Sequence, residues 1–213
     1  MPFVKRDAIS PPVRARDSGD LAPANAATTD NLSSTNAETR WSAARALGGH
    51  RDAVPSLAAA LAAEQVPRVR EAIMTALMRI GDESSIKVML TYLRSQDASL
   101  RASAIEALQA LPEGITPMLH TLLTDSDSDV RILATELVRN VPVADATRHL
   151  CALLETEKHP NVCAAAIELL TEVGTRDAVP ALRSCAARFA TIPFLTFAAT
   201  TAIARISDTD AEK

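Results

Sequence analysis

The chain has 213 residues, 47% of them apolar and only 3% aromatic, with a formal net charge of −4 and a pI near 5.6. That size fits one domain with an aliphatic core of packed helices, and the acidic balance lacks the basic footprint of a nucleic-acid binder. No apolar run reaches the roughly 18 residues of a membrane span, and three cysteines (Cys151, Cys163, Cys185) are too few and uneven for a secreted disulfide framework.

Residues 1–34 read as a disordered tail. Pro2, Pro11, Pro12 and Pro23 interrupt them, their charges balance, and no helical period persists. The opening MPFVKRDAISPPVRARD has no apolar core of a signal peptide, which predicts a cytoplasmic protein. From residue 35 to 207 the chain repeats, and residues 208–213 form a polar C-terminal tail. RDAVPSL at 51–57 returns as RDAVPAL at 176–182, an offset of 125 residues or four periods of about 31. Arg40, Arg70, Arg101 and Arg131 form a ladder with spacings of 30, 31 and 30, which continues onto Cys163 and Thr196. A fixed period of this length predicts a solenoid, in which each unit buries its face only against its neighbours.

Each period holds two helices. The ladder helix has one apolar stripe, for example Val69, Ala72, Ile73, Ala76, Leu77 and Ile80. Equivalent stripes follow at Leu100–Leu111, Val130–Val141 and Val162–Val173. Gly48, Gly81, Gly174, Pro112 and Pro142 mark helix ends, and Pro55, Pro117 and Pro180 fall near the first turn of the second helix. The reading is an all-α, right-handed α-solenoid of about 11 helices: a half repeat near 36–47, then five pairs. Phe189, Phe194 and Phe197 at the end are expected to plug the terminal core.

The pattern PxLxxLLxDxDxxVRxxAxxAL, best seen in PMLHTLLTDSDSDVRILATEL from Pro117 to Leu137, resembles HEAT repeats of the short variety named for phycobilin lyase subunits. The resemblance covers roughly residues 35–206 and implies that the ladder helices line a concave side. It also implies that the ladder arginines pair with acids in the turns. Asp97 and Asp127, four residues before Arg101 and Arg131, are the candidates, and both suit a helix N-cap.

Aligning the ladder helices places Thr75, Glu106, Glu136 and Glu168 in one row. Glu71 and Ile132 lie beside it, Met78 and Arg139 beyond it, and Trp41 and Arg45 extend the face, with Met74 adding to an apolar patch. This face predicts a groove for another protein, through a basic or amphipathic segment, with no nucleic acid, membrane or cofactor involved. His149, Cys151, His159 and Cys163 carry metal-ligand chemistry within 15 residues, but H-x-C…H-x₃-C is no standard zinc spacing, and buried cysteines serve as small apolar residues. GxSxG, HExxH and Gly-rich phosphate loops are absent, so the functional expectation is a non-catalytic scaffold or adaptor, not an enzyme. The alternatives are a phycobilin-lyase-like subunit or accessory, which the resemblance permits, and a regulatory subunit of a signalling complex.

Overall fold

The fold, a computed structural model, is described for residues 26–209. The described part is all-helical. A short helix α1 (Ala26–Asp30) leads into α2 (Ala37–Ala46), followed by α3 (Val54–Ala63) and α4 (Pro67–Ile80), then α5 (Glu83–Thr91) and α6 (Ala98–Gln109). The next pair joins a broken helix, α7 (Pro112–Ile115) and α8 (Leu119–Leu123), to α9 (Ser128–Val138). Two further pairs are α10 (Val143–Thr156) with α11 (Pro160–Val173), and α12 (Val179–Arg188) with α13 (Pro193–Thr209).

The ladder helices α2, α4, α6, α9, α11 and α13 pack in succession, each on the next. The outer helices α3, α5, α7–α8, α10 and α12 touch one another less, so the array curves toward the ladder row. This is an α-solenoid with a half repeat and five pairs.

Composition explains the tight row. Three residues after each ladder position stand Ala43, Ile73, Ala104, Ala134, Ala166 and Ala199, all buried. Five of the six are alanine, whose methyl side chain lets neighbouring helix axes approach closely. Four residues further on, Leu47, Leu77, Leu108, Val138 and Leu170 fill the space between the two rows, none more than 1% exposed. All six stripe residues of α4 are buried as expected.

Local signals set the ends. Asn36, Asp82, Asp97 and Asp127 are N-caps whose side chains accept from backbone N–H groups of the first turn. Pro55 and Pro180 sit in the first turns of α3 and α12, where a missing N–H costs nothing. Gly81 ends α4 in the left-handed conformation, φ 60°.

Four expectations change. Helical structure is already present at Ala26–Asp30, ahead of the boundary at 35, where Leu32 is buried against the α2–α3 end; the tail reading for residues 1–25 lies outside the described residues, as do residues 210–213. The count rises from about 11 to thirteen α-helices among the described residues. The added ones are α1 and the break at Thr116–Met118, where Pro117 withholds an N–H. Of the three phenylalanines only Phe189 packs against the core: Phe194 is 52% and Phe197 74% exposed, and Leu195, Ala199, Ala202 and Ile206 form the buried face of α13 instead. Finally, where the ladder arginines form ion pairs, they do so with acids further along the chain and not with the one four residues before them.

Every ladder arginine donates to the carbonyl oxygen six residues earlier: Arg40 to Ser34 (2.8 Å), Arg70 to Glu64 (2.7 Å), Arg101 to Ser95 (2.6 Å) and Arg131 to Asp125 (2.7 Å). Three also reach forward to the next repeat. Arg40 forks onto Glu64 at 2.6 and 2.9 Å, Arg131 forks onto Glu157 at 2.7 and 3.1 Å, and Arg70 meets Asp97 at 2.9 Å. Arg101 has no carboxylate partner among the described residues, because Arg94 takes both Asp125 and Asp127. Asp97 and Asp127 therefore cap helices as expected, but neither pairs with the arginine that follows it in sequence.

Glu64 and Glu157 are buried and bound alike. Each carboxylate also accepts from the two following backbone N–H groups, at Gln65 and Val66 or at Lys158 and His159. The Arg40 hydrogen bond, opposed by burial, holds the Glu64 carboxyl down at about 2. Burial would raise Glu157, but its bonds to Arg131 and the loop N–H groups outweigh this and its pKa is lowered.

Two outcomes follow. Arg131→Ala strands a buried carboxylate and should destabilise by about 3 kcal/mol. Arg101→Ala, which loses one hydrogen bond and no ion pair, should cost about 1 kcal/mol; urea unfolding midpoints compare the two, and equal losses would contradict the assignment. In the folded state Glu64 titrates below its unfolded value, so its contribution is complete above about pH 4.5 and disappears as pH falls toward 2. Glu64→Gln should therefore lower stability at neutral pH and flatten its decline between these values, measured by denaturation at stepped pH.

Candidate functional face

The exposed sides of the ladder helices form one continuous face, and its charge changes along the row. At the N-terminal end Trp41 on α2 lies under two guanidinium groups, Arg45 at 4.7 Å and Arg68 at 4.2 Å from the ring centroid. Arg68 also meets Glu38 at 2.8 Å in an exposed pair. With Glu71, Thr75 and Arg79 of α4, these residues enclose a half-open cleft of about 290 Å³. The stem of Arg79 passes close to Gly48, where an added Cβ would lie 3.1 Å from its Cδ.

Further along, the face becomes acidic. Glu106 and Glu168 are exposed and make no ion pair among the described residues. Glu136 is tied at 3.3 Å to Arg139, which also pairs with Glu172 of the next ladder helix. Burial lowers the Arg139 guanidinium, and the two carboxylates outweigh that and raise it. Gln109 donates to the Glu136 carbonyl at 3.0 Å and Asn140 to the Gln109 carbonyl at 2.9 Å, stitching α6 to α9. Met78 and Ile132 are half-buried beside this row. Met74, read from sequence as part of the face, is 3% exposed and belongs to the core.

The structure thus brings Trp41, Arg45 and Glu71 together in one cleft and links Glu136 with Arg139, while Glu106 and Glu168 stand apart on their own repeats. Sequence reasoning missed Arg68, Arg79, Glu64 and Glu157. The last two had a signal: both begin an E-x-x-P stretch, Glu64 to Pro67 and Glu157 to Pro160, whose proline opens the next ladder helix.

His149, Cys151, His159 and Cys163 do not converge. Among the described residues no three His, Cys, Asp or Glu side chains gather around a metal position. Cys163 is fully buried and points at the Glu157 carbonyl, 3.8 Å away, and its thiol neighbours that of Cys185. The bond to the Cys185 sulfur and burial push the Cys163 thiol up. Outer clefts exist beside Gly81, Ile86 and Met118 (about 610 Å³) and beside Ser34 and Ala60 (about 640 Å³). No described helix is long and apolar enough to cross a membrane.

A family model described as HEAT repeats matches residues 25–109. The bilin biosynthesis protein PecE of Mastigocladus laminosus is 33% identical over 148 residues, covering 67% of this chain and 54% of that protein. PecE of Nostoc sp. (strain PCC 7120) is 42% identical over 74 residues, 34% of this chain and 29% of that protein. The chain thus spans about half or less of the length of these relatives. Among solved structures, an archaeal HEAT-like repeat protein from Thermococcus onnurineus NA1 overlaps with a TM-score of 0.48 at 14% identity, covering 85% of this chain and 86% of that one. The complex of CpcE and CpcF of phycocyanin lyase from Nostoc sp. PCC7120 gives a TM-score of 0.39 at 16% identity, covering 95% of this chain and all of the matched one. The expectation of a chain that is not an enzyme is corrected by the sequence relatives, which are proteins of bilin biosynthesis. The repeats are thus of the HEAT type, similar to those of the bilin biosynthesis protein PecE.

Proposed function

We propose that the chain acts as a subunit or accessory of a bilin-handling lyase, in company with a second protein. The observation that carries this reading is the 33% identity to PecE, which extends over 67% of the chain and so across several repeats. The geometry agrees with a subunit that contributes surface to a shared site. Its clefts are open, as surface shared with a second protein would be.

The ladder face is the surface we assign to the protein partner, with Trp41, Arg45, Glu71, Met78, Glu106, Ile132, Glu136, Arg139 and Glu168 as its residues. Equivalent positions in a helical array recur about 10 Å apart. Glu106, Glu136 and Glu168 at that spacing reinforce one another's field without direct contact, and attract a basic or amphipathic segment. Arg139 splits the row, so the acidic field is strongest at its two ends.

The reading is tested by adding an open-chain tetrapyrrole, phycocyanobilin, to the purified chain alone and mixed with a partner subunit of the lyase type. The expected result is a stable heteromeric complex by size exclusion and a saturable change in bilin absorbance that the complex shows most strongly. No complex and no spectral change with any such partner would overturn it. A separate variant reverses Glu106, Glu136 and Glu168 to Lys. Partner binding should fall by at least about tenfold, with unchanged helicity and a salt dependence set by a screening length of about 8 Å. Reversal of Glu83, Asp145 and Asp177, which lie off this face, should leave binding intact.

A further inference from the structure

We propose that the cleft around Trp41 is a receptor for carboxylate side chains of an acidic peptide segment. This rests on assigning the ladder face to a protein partner, and it adds a second, oppositely charged contact at the N-terminal end of that face.

The cleft is rich in unused donors. Arg45, Arg68 and Arg79 bring three guanidinium groups to it, against the carboxylates of Glu38 and Glu71. Arg45 and Arg79 are exposed and form no ion pair among the described residues. The Arg68–Glu38 pair has side chains 58% and 61% exposed, so water already screens it and an incoming carboxylate competes readily. Each guanidinium presents a planar fork matched to a carboxylate, and two of them rest on an indole that fixes their planes. Such a constellation differs from the isolated arginines elsewhere on the face, where Arg139 is saturated by Glu136 and Glu172.

Size selects the occupant. A cleft of about 290 Å³, open on one side, holds one or two side chains. Sites that enclose a small-molecule ligand run from about 300 to 1,000 Å³ and cover most of its surface. The opening is continuous with the ladder face, so a chain that enters the cleft continues along the groove. Three guanidinium groups lining one cleft suit adjacent acidic side chains better than a single carboxylate.

Trp41 is the sole tryptophan of the chain, so its fluorescence reports the cleft directly. The experiment titrates the full chain with an acetylated, amidated hexapeptide of alternating aspartate and glutamate. A hexalysine peptide and citrate serve as comparison probes. The expected outcome is a saturable change in Trp41 emission with the acidic peptide, weakened by salt and absent with hexalysine. Arg45→Gln combined with Arg79→Gln should weaken binding by about tenfold or more while the circular dichroism spectrum stays the same. Glu71→Gln, which removes a repelling charge, should tighten it. No saturable response, or an undiminished response in the double variant, overturns the proposal. So does citrate binding as tightly as the peptide, since that would make the cleft a small-anion site. None of these readings involves a bilin or a lyase partner, so failure here is distinct from failure of the proposed function.

Discussion

One hydrogen bond organises the solenoid: the ladder arginine donating to the backbone carbonyl six residues before it. That carbonyl lies in the loop that turns the outer helix into the ladder helix, where no helical N–H can reach it. A buried carbonyl without a donor is costly. The arginine satisfies it from within the same repeat, and its long stem holds the guanidinium at the joint with the next repeat. Loop closure and repeat stacking thus depend on one side chain, which explains why the arginine recurs with the period of the fold. Cys163 supports the same conclusion. It stands in the ladder and still directs its weak donor at the carbonyl six residues earlier.

The loop carboxylates complete the arrangement in two ways. Where the loop ends in E-x-x-P, glutamate takes a forked bond from the arginine and caps two loop N–H groups with its other lone pairs. Where the loop ends in aspartate, the aspartate is the N-cap of the ladder helix and can spare one oxygen for the arginine before it, as Asp97 does for Arg70. A buried glutamate with all its lone pairs engaged is the sounder use of a charge in low dielectric. Both forms keep the cations inside the joints. Arg45, Arg68 and Arg79, outside the joints, stand on the ladder face, where they oppose the glutamates of later repeats.

The repeat period, the helix pairs, the apolar stripes and the caps were legible in the sequence because each rests on local spacing. The ion pairs were not. Asp97 lies four residues from Arg101 in the chain, yet its carboxylate caps Ser99 and Leu100 and turns toward Arg70. Only the stacking of repeats decides between those partners. The phenylalanines misled for a related reason. Aromatic side chains usually go inside, but α13 buries the face carrying Leu195, Ala199, Ala202 and Ile206, and its register puts Phe194 and Phe197 outside. The candidate face was half legible: the glutamate row and Trp41 follow from alignment, whereas Arg68 and Arg79 join the cleft only through the packing of α4 on α2. Function was the least legible, since open clefts on a repeat scaffold carry no catalytic spacing.

Cys163 has a mechanical consequence. A forked ion pair fixes both the separation and the angle of the groups it joins, so the repeats linked by Arg40–Glu64 and Arg131–Glu157 behave as welded joints. The joint between the α10–α11 pair and the α12–α13 pair has no such ladder ion pair among the described residues: Cys163 stands in the ladder, and Arg188 of α12 reaches back instead to donate to the Leu154 and Glu155 carbonyls of α10. The last joint is thus closed from the opposite side: the later repeat supplies the cation and the earlier one the acceptors, so the polarity of the tie reverses at the end of the array.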